Sequence, residues 1–212
     1  ASKYLVEFNF GYNGSERLAA GQRFEFFPAV SAGWVASSEK FWEPISKYIN
    51  HFKIRGSYGL VGSDAFASGA PHFLYQNNIG IGSAHKFWTG LPTSEISKQG
   101  PGFYVLAVQD AGWEHVKKFD IGFDMMLFDQ LNITFDYFHD KRERILMSRA
   151  SWPSMLGYWG SKPWSNIGEV ENQGFELSLN WTKQFGKDLT LDLRGNFTYN
   201  QNEYKYVDEP NY

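Results

Sequence analysis

The sequence predicts an all-β chain, an antiparallel transmembrane β-barrel segment of about seven strands. Aromatic residues make up 18% of its 212 residues, yet the mean hydropathy is only −0.43. Apolar and polar residues alternate with a period of two over stretches of roughly ten residues, the length of a tilted membrane-crossing strand. Short and long connections alternate between these stretches, which is typical of membrane barrels.

The composition excludes several other classes of protein. No run approaches the roughly 18 apolar residues that a membrane-spanning helix needs. The net charge of −3 gives no basis for nucleic-acid binding. The chain has no cysteine, which excludes disulfide scaffolds and thiolate metal sites.

The first strand shows the alternation most simply. Large apolar residues occupy the even positions from Tyr4 to Tyr12, whereas Glu7, Asn9 and Gly11 lie between them. One face of the strand is therefore apolar and the other polar or small. The same pattern places strands at about residues 3–14, 22–36, 52–62, 113–128, 131–146, 172–184 and 189–203, within one domain that spans 1–212.

The connections indicate which strand ends lie together. Short turns and long loops lie at opposite ends of a membrane barrel. The segment 37–51, with a helix-like stretch at 46–50, falls at the same end as the tight turns. The tight turns are expected at Asp129-Gln130 and 185–188, and the long loops at 63–112 and 148–171.

Seven strands cannot close a bacterial barrel, because such barrels have an even number of strands and closure removes both edges. A further hairpin within 63–112 would raise the count to nine, which is still odd. The chain is therefore expected to be a slice of a larger barrel.

A soluble antiparallel sheet with one face on a core would also alternate. Two features favour the membrane instead. The polar face carries glycine and small residues where soluble sheets usually carry Lys and Glu. Aromatic residues such as Tyr12, Trp34 and Trp181 stand near the ends of the apolar stretches, as interfacial girdles require.

Several strings resemble the SusC/RagA family of TonB-dependent outer-membrane transporters. They occur in family order and span nearly the whole chain. The strings are FNFGYNGSER at 8–17, FEFFPAVSAGWV at 24–35, KIRGSYGLVG at 53–62, KFDIGFDMMLF at 118–128 and NIGEVENQGFE at 166–176.

This resemblance implies a barrel of about 22 strands closed by an internal plug, in the outer membrane of a Gram-negative bacterium. Such transporters import nutrients, commonly oligosaccharides or peptides, with energy supplied through the TonB complex. They pair with a SusD-like surface lipoprotein that covers the barrel. The plug domain and the C-terminal strands are expected to lie outside this stretch, which would supply barrel wall and extracellular loops.

The alternation also assigns the two faces of the wall. Large apolar side chains are expected to face the outer-membrane lipid. The polar face is expected to point to the lumen, with the charged residues Lys53, Arg55, Lys118, Asp120, Asp124 and Arg194.

No catalytic, cofactor or metal site is predicted, and the chain is not expected to be an enzyme. The five histidines are scattered and form no zinc motif. Gly80-Ile81-Gly82 is not followed by the rest of a dinucleotide-binding fingerprint. The carboxylate pairs, such as Glu169 with Glu171, are explained by hydrated loops or lumen walls.

One loop is a candidate contact site. Four aromatic residues, Trp152, Tyr158, Trp159 and Trp164, lie there among prolines and glycines. Exposed rings suit stacking on sugars or contact with the partner lipoprotein. The more conservative interpretation is that they pack the loop against its neighbours.

Two other functions stay open at this point. A soluble β-rich carbohydrate-binding module would use the Trp152–Trp164 loop and would need no detergent. A small outer-membrane barrel enzyme would require an eighth strand and a catalytic cluster, and the sequence shows neither.

Overall fold

A computed structural model describes residues 2–66, 69–89, 96–153, 155 and 162–210. Nearly all of this part of the chain is strand or connection, with two short 3₁₀ helices at Ala36–Ser38 and Lys40–Ile45. No helix among the described residues is long and apolar enough to cross a membrane. The strands are β1 (Tyr4–Gly14), β2 (Phe24–Val35), β3 (Ile49–Ser63), β4 (Asn78–Thr89), β5 (Ile96–Val105), β6 (Glu114–Leu127), β7 (Leu131–Ser148), β8 (Trp164–Phe185) and β9 (Leu189–Tyr206).

Seven of the strands form one antiparallel sheet in the order β1-β2-β3-β6-β7-β8-β9. The prediction of an all-β antiparallel sheet of seven strands is confirmed. β4 and β5 pair only with each other, so the region between β3 and β6 contains an additional hairpin. The seven-stranded sheet is open, with β1 and β9 as its edges.

Several boundaries differ from the sequence prediction, and three of the differences bear on the architecture. β8 begins at Trp164, eight residues before the predicted start, because Trp164–Gly168 pairs with the end of β7 beyond a register shift. That shift hides the strand from a search for strict alternation. β3 begins at Ile49, and the helical stretch lies at 36–45 instead of 46–50.

The sheet has two distinct ends. β6 turns into β7 through Phe128–Gln130, and β8 turns into β9 through Gly186–Asp188; we call this the turn end. Gly186 has a φ of +71°, a conformation that glycine adopts without steric cost. The long connections 15–23, 64–113 and 149–163 lie at the opposite end, the loop end.

The register aligns apolar residues across the whole sheet. In this register, most large apolar residues of one strand lie directly opposite an apolar residue of the next strand, on the same face. One complete row, from β1 to β9, consists of Tyr4, Trp34, Ile54, Phe123, Phe135, Leu177 and Phe197.

Aromatic rings reinforce this face. Phe123 and Phe135 are direct cross-strand partners with ring centroids 5.6 Å apart. Phe135 and Phe175 are 6.0 Å apart, and Phe175 and Tyr199 are 5.7 Å apart. These spacings fall within the range of favourable ring contacts. The rings therefore link adjacent strands in addition to the backbone hydrogen bonds.

The apolar residues of this face form a continuous band, which we call the apolar belt. It remains exposed: Phe8 retains 62% and Phe197 retains 57% of its accessible surface. An apolar patch that spans seven strands far exceeds what a monomeric soluble protein leaves open. A further surface must therefore cover the belt.

The belt crosses the hydrogen-bonded rows obliquely. In β1 it runs from Tyr4 to Tyr12, whereas in β9 it runs from Leu189 to Tyr199. In β1 the centre of the belt lies four residues from the row that joins Tyr4 to Phe197, in the direction of the loop end. In β9 its centre lies three residues towards the turn end. The belt thus shifts by seven residues over six strand-to-strand steps.

The compact core of the chain lies at the loop end. Leu18, Phe27 and Trp113 form one buried cluster, and Leu74, Ala111 and Leu146 form a second. The half-buried ring of Phe66 packs against both clusters. The connections before β2 and before β6 are therefore held in one packed cap against the ends of β2, β7 and β8.

Asn166 connects this cap to the sheet. Its side-chain oxygen accepts the backbone N–H of Gly112 at 3.0 Å. Its amide nitrogen donates to the carbonyl of Gly112 at 3.0 Å and to that of Arg144 at 2.8 Å. Arg144 has a positive φ of 57° and lies in the register shift of β7. One amide therefore satisfies three backbone groups where the strand is irregular.

Asn166→Ala should lower the free energy of unfolding by about 1–3 kcal/mol, because it leaves buried backbone groups without partners. The matched control is Asn172→Ala on the same strand, since Asn172 forms no hydrogen bond with a described residue. Denaturant unfolding of the complete protein measures both. Equal effects of the two substitutions would contradict this role of Asn166.

Candidate functional site: the polar face of the sheet

The face opposite the apolar belt carries the charged residues that the sequence analysis selected. The register places Lys53 opposite Asp124, and Asp120 opposite Ser57. Lys118 lies opposite Gly59, and Arg194 lies opposite Asn180. By the alternation along their strands, both side chains are on the same face as Lys53 and Asp120. All six predicted residues therefore share this polar face.

The structure brings three of the six together around Arg55. Its guanidinium lies 3.7 Å from Asp120, 3.3 Å from Asp124 and 2.8 Å from Asp136. Asp136 is on β7, two strands away from Arg55, and was not selected from the sequence. Asp136 alternates in step with the polar residues Asn132 and Thr134, which was enough to predict that it lies on the polar face. Only the pairing of the strands shows that it lies close to Arg55.

Gly122 makes this reach possible. It stands between Arg55 and Asp136 in the same hydrogen-bonded row. A Cβ at this position would collide with the carboxylate of Asp136 and with the carbonyl of Phe135. Glycine therefore leaves the space through which one arginine connects β3 to β7.

The cluster is anionic overall, with three carboxylates around one guanidinium. Side-chain exposure is 33% for Arg55 and 19% for Asp136. Partial burial reduces screening by water, so these charge-assisted hydrogen bonds contribute more than an exposed ion pair does.

The other predicted residues are separate from the cluster. Lys118 lies 3.6 Å from Asp140 on β7, a second partner that the sequence analysis missed. Lys53 and Arg194 form no ion pair with a described residue. Next to the Arg55 cluster, Lys53 and Arg55 line an open depression of about 520 Å³ that extends to Glu7 and Ser31.

The predicted aromatic loop is described only in part. Trp164 opens β8 and packs at the edge of the Leu74, Ala111 and Leu146 cluster. Trp152 follows Arg149, whose carbonyl accepts its backbone N–H at 3.3 Å. Tyr158 and Trp159 lie outside the described residues. The proposed role of this loop in ligand or partner contact stays a prediction.

The loop is held at its base by Asp208, which follows β9. Asp208 accepts hydrogen bonds from the backbone N–H and Oγ of Ser151, at 3.0 and 2.8 Å. The backbone N–H of Ser151 lowers the pKa of Asp208 below its usual value, and Arg149 at 3.4 Å adds to this effect. This contact is complete at neutral pH and is lost as the pH falls through that lowered pKa.

A band of charge borders the apolar belt on its loop-end side. Lys117, Lys141, Glu171 and Glu203 form one row on the belt's own face. Lys205 lies 3.3 Å from Glu171 and links β8 to β9. His139, Gln173 and Gln201 lie in the row between this band and the aromatic rings, so polarity rises in two steps towards the loop end. In the described part of the chain, no group of His, Asp or Glu side chains is arranged to hold a metal ion.

Arg55→Gln should destabilise the folded protein by about 1–3 kcal/mol, because three neighbouring carboxylates lose their common cation. Lys53→Gln is the matched control on the same strand and face, where no ion pair is lost. Thermal or denaturant unfolding of the complete protein compares the two. An equally small effect of both would show that the Arg55 cluster does not tie these strands together.

Comparisons with known proteins agree with this architecture. A family model described as TonB dependent receptor-like, beta-barrel, matches residues 6–212. TonB-dependent receptor P3 of Formosa agariphila is 30% identical over 96% of this chain and 19% of its own length. TonB-dependent receptor SusC of Bacteroides thetaiotaomicron is 26% identical over 95% of this chain and 19% of its own length.

The solved structures of the RagAB peptide importer share the fold. In its closed-closed state the match has a TM-score of 0.74 at 20% identity, and it covers 95% of this chain and 20% of the other. The open-open state gives 0.74 over 97% of this chain. This chain spans about a fifth of the length of these relatives. It belongs to the TonB-dependent receptor β-barrel family, and within that family it resembles the SusC- and RagA-type members.

Proposed function

We propose that this chain is a stretch of barrel wall and extracellular loops in a nutrient importer of a Gram-negative outer membrane. The observation that carries the proposal is the apolar belt, which is exposed on one face of an open sheet whose other face is polar. The belt would contact outer-membrane lipid, and the polar face would line the lumen.

The slant of the belt supports this placement. A shift of seven residues over six strands, at about 3.3 Å per residue and 4.8 Å per strand, corresponds to a strand tilt of roughly 40°. Strands of membrane barrels tilt by about 35–45°. The belt would therefore run parallel to the membrane plane only if the strands cross the membrane at the tilt that is found in barrels.

The height of the belt supports the same conclusion. In β9 the apolar run from Leu189 to Tyr199 covers about 33 Å along the strand. At a tilt of roughly 40° this gives a band about 25 Å tall, which is the height of the apolar band of outer-membrane barrels. Tyr199 at its upper border is suited to the lipid–water interface.

The polar face would meet water and the plug of the complete transporter. Lys53, Arg55, Lys118, Asp120, Asp124 and Arg194 would then be lumen-facing. The Arg55 cluster, with its excess of carboxylates, would offer a fixed anionic site to a basic segment of the plug.

The partners and substrates of the complete protein are also proposals. The relatives named as SusC and RagAB support a SusD-like surface lipoprotein, energy from the TonB complex and an oligosaccharide or peptide substrate. The packed loop cap, together with the predicted contacts of Trp152, Tyr158, Trp159 and Trp164, would supply part of the surface for the lipoprotein or ligand.

The two other functions receive less support. A soluble carbohydrate-binding module would have to hide the apolar belt, and the chain belongs to a membrane-barrel family. A small barrel enzyme would have to close its own sheet, whereas β1 and β9 are open edges here. The family consists of transport receptors, so the proposal assigns no enzymatic activity.

Phe123→Arg should destabilise the barrel by about 2–4 kcal/mol, because it would place a charge near the bilayer midplane. Thr134→Arg is the matched control, on the neighbouring strand but on the polar face. Unfolding of the complete protein in lipid vesicles measures both. Tolerance of Arg at Phe123, combined with destabilisation by Arg at Thr134, would reverse the assignment of faces.

Import is tested in cells in which the complete transporter is the sole route for a given oligosaccharide or peptide. Growth on that nutrient should require TonB, and it should also require the surface lipoprotein. Deletion of TonB should abolish uptake while the transporter remains in the outer membrane. Uptake that continues without TonB would contradict the proposed function.

A further inference from the structure

We infer that the β2–β3 connection, residues 36–48, lies in the headgroup region of the lipid leaflet at the turn end. One side of its second 3₁₀ helix, Lys40–Ile45, contacts phospholipid there. This inference rests on the proposed function, which places lipid against the apolar belt. The connection belongs to no strand, so its contact with lipid extends the membrane surface of the protein beyond the barrel wall.

The connection folds onto the belt side of the sheet. Trp42 stacks on Phe52 of β3, with ring centroids 5.3 Å apart and planes inclined by 7°. Phe52 is two residues from Ile54 and therefore lies on the belt face. The ring centroid of Phe41 is 6.3 Å from that of Trp34, another residue of this face. The second 3₁₀ helix thus packs against the outer surface of the sheet and not against its lumen-facing side.

The residues of this helix are arranged for an apolar–aqueous boundary. A 3₁₀ helix has three residues per turn, so residues three apart share one side. Two adjacent sides are apolar and the third is charged. The pairs are Phe41 with Pro44, Trp42 with Ile45, and Lys40 with Glu43. Phe41 is 63% exposed and Ile45 is 40% exposed, as expected for a helix that lies in the plane of a membrane interface.

The polar groups of the helix are paired within the connection, which a segment beside lipid requires. The backbone N–H of Trp42 donates to the carbonyl of Glu39 at 3.0 Å, and that of Ser46 donates to the carbonyl of Trp42 at 3.0 Å. The indole N–H of Trp42 donates to the carbonyl of Ile49 at 3.0 Å. Trp42 therefore brings a large apolar ring to the belt while its one polar atom is satisfied.

The charges of the connection suit phospholipid headgroups. The carboxylate of Glu39 is held by Lys3 Nζ and by the Tyr4 hydroxyl, each at 2.9 Å. Lys40 and Lys47 form no ion pair with a described residue. A lysine keeps its aliphatic stem on apolar surface while its ammonium reaches the headgroup level. The two free ammonium groups are therefore available to lipid phosphates.

Exposed rings continue from the connection to the neighbouring turn. Tyr48 and Phe128 meet edge to face at 6.0 Å, and they are 54% and 57% exposed. The backbone N–H of Phe128 donates to the carbonyl of Tyr48 at 3.0 Å. The apolar surface is thus continuous with the belt, and a protein bound at this place would have to displace lipid from the adjoining strands. This continuity favours phospholipid as the occupant.

The test places a nitroxide spin label on one cysteine at a time in the complete transporter. This chain has no cysteine, and any cysteine elsewhere is replaced by Ser. Phe41→Cys and Ile45→Cys report the apolar sides of the helix, Glu43→Cys is the matched control on its charged side, and Phe123→Cys reports the belt. The variants are reconstituted in vesicles of phosphatidylethanolamine and phosphatidylglycerol. Electron paramagnetic resonance then measures the accessibility of each label to oxygen, which concentrates in lipid, and to a water-soluble nickel complex.

We expect the ratio of oxygen to nickel accessibility to be several-fold higher at Phe41 and Ile45 than at Glu43, and to approach the ratio at Phe123. TonB-dependent uptake by each variant shows that the labelled protein is folded. Equal, high nickel accessibility at the three helix positions, with a lipid signal at Phe123, would overturn the inference and leave the proposed function standing. High nickel accessibility at Phe123 as well would contradict the proposed function itself.

Discussion

The continuous hydrogen-bonded register across seven strands is the constraint on which the rest of the structure depends. Because side chains alternate along a strand, a shift of one residue in any pair would exchange the two faces of that strand. The aligned row from Tyr4 to Phe197 shows that the central part of every strand keeps its apolar side chains on one face of the sheet. Contacts between large apolar side chains, such as Phe123 with Phe135, favour this register over its neighbours.

The same register assembles the features of the polar face. Arg55 reaches Asp136 only because Gly122 separates them in one row. The strand pairing is irregular at Ile49 near the turn end and between Arg142 and Leu146 near the loop end. At the loop end, Asn166 satisfies the backbone around Gly112 and Arg144. The regular sheet thus provides the wall, and the packed cap holds the connections before β2 and before β6 in place at its loop end.

The fold could be predicted from the sequence because its main signal is local. The spacing from Phe119 to Leu127 assigns both faces of β6 without knowledge of any other strand. The Arg55 cluster could be predicted only in part, since Asp120 and Asp124 share a strand whereas Asp136 requires the register between strands. The start of β8 was missed because the positive φ at Arg144 and the adjacent register shift interrupt the alternation. The β4–β5 hairpin likewise lacks the long period-two pattern of the other strands.

The slant of the apolar belt provides the most direct test that the sheet is a tilted membrane wall. Phe8 and Gln201 lie in one hydrogen-bonded row, but in the proposed orientation the slant would place Phe8 near the bilayer midplane and Gln201 at the headgroups. Leu193, from a different row, should match the depth of Phe8. This chain has no cysteine. In the complete transporter, with any cysteine elsewhere replaced by Ser, a fluorophore is attached to single cysteines at these three positions and quenched by lipids brominated at known depths. We predict equal, deep quenching at Phe8 and Leu193 and shallow quenching at Gln201. Equal depths at Phe8 and Gln201 would contradict a tilted transmembrane sheet.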